Sequence, residues 1–101
     1  SDEAWRTDTY HVRRGETLRL SIRAMRAADG GALSVEVADD FRANVVTWTL
    51  DSNAATLEWQ SGHLEWTNTS DRDCEVTVRM SGTGNINAGY MCVWQATGGA
   101  M

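Results

Sequence analysis

The residues of this chain that could do chemistry are few and scattered. His11 and His63 stand far apart, and neither has a second histidine, cysteine or carboxylate at metal-ligand spacing. A serine or cysteine nucleophile would need a histidine base and an orienting acid, and no nucleophile-elbow motif is present. Asp39-Asp40 and Asp71-Arg72-Asp73 are acids of the kind that bind calcium, but without EF-hand spacing they read as solvated loop charge. Gly82-Thr83-Gly84 is a turn and no phosphate cradle, because no helical pattern follows it. The expectation is therefore no catalytic residue, no cofactor and no metal, and a protein that is not an enzyme.

Cysteines and aromatic rings remain. Cys74 and Cys92 would face each other if their segments formed a hairpin turning near Thr83. That geometry suits either a disulfide or a pair of buried thiols, and the compartment would decide between them. Five tryptophans in 101 residues suggest a stacking platform. Parity opposes it: Trp48 is in phase with Val46 and Leu50, Trp59 with Leu57, and Trp66 with Leu64. These three rings are expected in the core, as is Trp94 if Tyr90 and Cys92 point inward. Trp5 has no strand context, so Trp5, with Tyr10 after it, is the candidate partner contact.

The elements that position these residues alternate with period two. Leu18, Leu20 and Ile22 share one face of a run whose other face carries Arg19, Ser21 and Arg23. Leu33, Val35 and Val37 repeat the pattern, and so do Val76, Val78 and Met80 in phase with Cys74. Asp29-Gly30-Gly31 and Ser61-Gly62 read as turns, as does the stretch from Ser81 to Asn85. Amphipathic helix spacing is missing. About eight short antiparallel strands separated by turns predict an all-β jelly-roll sandwich. Residues 1–9 are expected as a polar arm, 10–97 as the sandwich and 98–101 as a tail.

Composition narrows the partners. The formal net charge of −5 disfavours a nucleic-acid backbone, and no apolar run is long enough for a membrane span. Proline and lysine are both absent, the nine cationic side chains all being arginine. G+C-rich coding would explain the missing lysine. Yet lysine and proline are devices that keep sheet edges from pairing with other chains. A β domain lacking both must use charge, bulges or burial of its edges in an assembly. The N-terminus lacks a signal-peptide pattern, and Ser1 suits removal of an initiating methionine, which predicts synthesis in the cytoplasm. A trimmed secreted domain is the alternative.

From Trp5 to Gln95 the order of features resembles the jelly-roll carbohydrate-binding modules of families four, nine and twenty-two. The resemblance rests on Tyr10–Ser21 as the opening segment, Leu33–Val37, Thr47–Leu50, Leu57–Gln60, Val76–Arg79, and a closing strand led by Gly89-Tyr90-Met91. It implies a jelly-roll fold and, less directly, glycan binding. Two departures count against the sugar role. Met91-Cys92-Val93-Trp94 stands where the family usually places paired aspartates, and the family is usually longer, with an extra N-terminal strand that Ser1 to Thr9 can barely supply. Domains of this kind also recur in bacteriophage virions, on capsids and tail fibres. The leading expectation is a non-enzymatic virion surface, decoration or fibre-associated protein, acting through self-association or within a larger capsid or tail assembly. A carbohydrate-binding or lectin-like domain is the alternative.

Overall fold

The computed structural model describes residues 3–29, 31–82 and 86–96. They form seven strands and no helix: β1 (Glu3–Val12), β2 (Thr17–Arg26), β3 (Leu33–Asp39), β4 (Val45–Thr49), β5 (Gln60–Thr67), β6 (Cys74–Gly82) and β7 (Ile86–Ala96). One sheet has the order β1-β6-β3-β4 and the other β5-β2-β7. Every pairing is antiparallel.

Alternation explains why the two sheets stack. β2 buries Leu18, Leu20, Ile22 and Ala24 while Arg19, Ser21 and Arg23 stay half-exposed. β3 and β6 bury Val35, Val37, Val76 and Val78 in the same way, and β5 buries Leu64 and Trp66. Side chains of both sheets meet in one cluster, giving a sandwich-like arrangement with a shared apolar layer. Burial of such side chains contributes about 25 cal/mol per Å² of apolar surface and is the main stabilising term.

Several sequence expectations change here. Seven strands are described where about eight are expected, because Leu57–Trp59 is not a strand. Leu57 takes a left-handed backbone (φ 61°) and is exposed, and Trp59 is 44% exposed with Arg23 stacked 5.0 Å from its ring centre. The expected inward Trp59 is therefore an outward ring. Ser61-Gly62, read as a turn, lies inside β5. Its glycine serves packing: a Cβ at Gly62 would fall 2.5–2.7 Å from atoms of the Trp48 indole, which lies across it from the other sheet. Trp48 is half-buried against the core and Trp66 is buried, as parity indicates.

The N-terminal segment read as an arm pairs with β6 from Glu3 onward, with a bulge between Ala4 and Arg6 that leaves Trp5 out of register. At the other end, β6 and β7 lie in different sheets and do not form a ladder. Cys74 stands opposite Val12, while the backbone of Cys92 stands opposite Ser21 in the second sheet. The hairpin geometry from which their pairing was expected is thus absent. The phase of the closing strand is also reversed. Val93, opposite Leu20, packs against the core, and Trp94 takes the register of outward Arg19. Thr83–Asn85 and the tail, 97–101, lie outside the described residues.

Candidate functional site

Two features stand out once the strands are placed: a cleft at one end of the sandwich, and the free edges of the sheets. The cleft encloses about 820 Å³ between the β3–β4 loop, the β5–β6 loop and the end of β1. Its scaffold is Asn68, which is almost fully buried. The Asn68 amide donates to the carbonyls of Val12 (3.0 Å) and Arg72 (2.8 Å), and its oxygen accepts from the Ser70 backbone and hydroxyl. Its own backbone exchanges hydrogen bonds with the turn after β1, through Gly15 N–H and the Glu16 carbonyl. Through side chain and backbone together, this one residue ties the β5–β6 loop to the end of β1 and its turn, and a buried amide with all these partners is stabilising only as a complete set. Trp66 closes the floor, donating from Nε1 to the Asn44 carbonyl at 3.0 Å.

The cleft's lining is acidic. Asp39, Asp40, Asp71, Asp73 and Glu75 face His11 and Arg72, with Phe41 exposed at the rim. His11 bridges Glu75 (Nδ1 to Oε2, 2.9 Å) and Asp73 (Nε2 to Oδ2, 3.2 Å). Those hydrogen bonds raise the pKa of His11 above 6.5, Glu75 contributing most. Asp73 moves down, first because Arg14 N–H donates to it and then because of His11.

Cys74 lies half-buried beside these acids as a free thiol. Burial, followed by Asp39, Asp40 and the neighbouring carboxylates, pushes its pKa up. Those surroundings oppose the thiolate that nucleophilic chemistry requires. Among the described residues, no three histidine, cysteine or carboxylate side chains converge to hold a metal ion.

The edges are the second feature. β4 and β5, the end strands on one side, meet through Trp48 and Gly62. At the opposite ends stand β1, paired only with β6, and β7, paired only with β2, with no further strand on the outer side of either among the described residues. β1 carries Glu3, Arg6, Asp8 and His11 together with its bulge. β7 runs eleven residues, Ile86–Ala96, with no charged side chain and no proline. Composition exposes this contrast, but only the strand order shows which segments are edges.

The residues singled out from sequence are dispersed. Tyr10 is half-buried, opposite Val76 and against the core, with its pKa raised chiefly by burial. It is therefore not a free outward ring. The side chains of Trp5 and Cys92 lie outside the described ones. Asn68, the outward ring of Trp59 and the register of Trp94 are not evident from the sequence. An asparagine just past a strand end carries no distinguishing pattern, and the phase of Trp59 with Leu57 suggests an inward ring. No protein-family model matches the chain, and no curated protein does. No helix among the described residues is long and apolar enough to cross a membrane.

Proposed function

We propose that this protein is a non-enzymatic assembly component that works through its sheet edges. The observation that carries the reading is β7, a long edge strand without the charge, lysine or proline that guards edges of monomeric β proteins. The setting we assign is a bacteriophage virion, as a surface, decoration or fibre-associated protein, made in the host cytoplasm. The strand pairings support it, read as those of a jelly roll. β1 pairs with β6, β2 with β5 and β3 with β4. These are the pairings of one long antiparallel ribbon, which rolling then joins through β6 and β3. β7 is added outside that ribbon, on β2. Sedimentation of the full chain across a wide concentration range is the test. The expected outcome is association with rising concentration or capture by a larger particle; a monomer throughout that binds no particle overturns the reading.

A second reading is favoured by one observation. On the outer face of β2, Arg23 stacks on exposed Trp59, and Arg19 pairs with Glu65 beside it. Aromatic and arginine positions on one face are what a glycan-binding module uses. A glycan array distinguishes the two. Binding that is lost in Trp59→Ala supports this alternative, and an array without ligands removes it.

A further inference from the structure

We propose that the occupant of the β7 edge is a second copy of β7, paired antiparallel about a two-fold axis. The result is one continuous six-stranded sheet spanning two protomers, in the order β5-β2-β7-β7-β2-β5. The proposal rests on the assembly reading and specifies its partner and symmetry.

The choice of edge follows from charge and backbone. β1 bears two acids, an arginine and a histidine, and its bulge between Ala4 and Arg6 interrupts the row of outward main-chain groups. β7 carries no charge, so two copies of a chain with net charge −5 can approach there without opposing like charges directly across a ladder.

The regular part of the β7 edge is Tyr90–Ala96. Gly89 is the extra residue of a bulge, because Arg23 is opposite Tyr90 and Ala24 is opposite Ala88. Seven extended residues span about 24 Å, enough for a ladder of main-chain hydrogen bonds.

The symmetry follows from closure. β7 against β7 is isologous and stops at two copies, whereas β7 against β1 would repeat head to tail into fibres. The charged, bulged β1 edge blocks that second course. An edge ladder is narrower than the ~800 Å² per partner of a standard interface, so the dimer forms as concentration rises and is not obligate.

A cysteine scan tests this directly. In an antiparallel two-fold pair one residue faces its own copy, at a Cβ separation of about 4.5–5.5 Å. In the full chain with Cys74→Ser and Cys92→Ser, single cysteines are placed from Tyr90→Cys to Ala96→Cys, with Thr7→Cys and Thr9→Cys on β1 as controls. Mild oxidation should give a covalent dimer peaking at one β7 position and none on β1. Separately, Cys92→Lys in the Cys74→Ser chain should lose the dimer in sedimentation with its far-UV spectrum unchanged. A dimer that sediments but cross-links through β1, or through neither strand, overturns this proposal and leaves the assembly reading standing. A chain that neither dimerises nor binds a particle overturns both.

Discussion

His11 joins β1 to the start of β6 through two carboxylates, and its protonation sets how well it does so. A protonated imidazole donates from both nitrogens, to Glu75 and to Asp73, whereas a neutral ring donates from one. The pKa of His11 is raised on folding, so its contribution is complete below the ordinary 6.5 and is lost as pH rises through the elevated value. Asp73 is lowered, so its contribution is present above the ordinary 3.8 and is lost as pH falls through the depressed value. The contact should therefore stabilise most between these two ordinary values. Denaturant unfolding of the native chain and of His11→Gln, followed against pH, should show a difference that peaks in that window and shrinks on both sides. A difference that does not shrink as pH rises well above the ordinary imidazole value would contradict the assignment. His11 and both acids are exposed, so the effect is modest and screened by salt.

At the scale of elements, Gly62 and Trp48 fasten β5 to β4 and close one side of the sandwich. Gly62→Ala places a methyl group within the indole's contact distance, and the ring must shift away from both core clusters it touches. The expected cost is about 1–3 kcal/mol, as for other overpacked sites, read from urea unfolding. An unchanged midpoint would show that the ring moves freely.

The same pair shows what was legible in the sequence and what was not. β2, β3 and β6 declare themselves, because strict alternation of Leu, Ile and Val against polar residues can satisfy only a half-buried strand. Trp48 and Trp66 obey the same rule. Ser61-Gly62 reads as a turn because glycine's local preference is visible, while its use as space for a ring from another sheet is not. The reversed phase of β7 has a comparable cause. The bulge at Gly89 shifts the register by one residue, and a shift of one exchanges the two faces. Which strand pairs with which is a long-range property, so the β6–β7 hairpin on which the Cys74–Cys92 facing was argued does not form although both cysteines lie on strands.

For the whole molecule, β1 to β6 pair among themselves across the two sheets except that β2 also carries β7, which ends its sheet with no further strand beyond it among the described residues. A strand of that length and composition exposes an unpaired row of main-chain donors and acceptors, the feature on which we rest the assembly reading. Sedimentation equilibrium of the full chain at increasing concentration is the most direct measurement. The expected result is a monomer–dimer equilibrium that strengthens with salt as the repulsion between two net charges of −5 is screened. A single monomeric species at every concentration and salt, together with no binding to any larger particle, would contradict it.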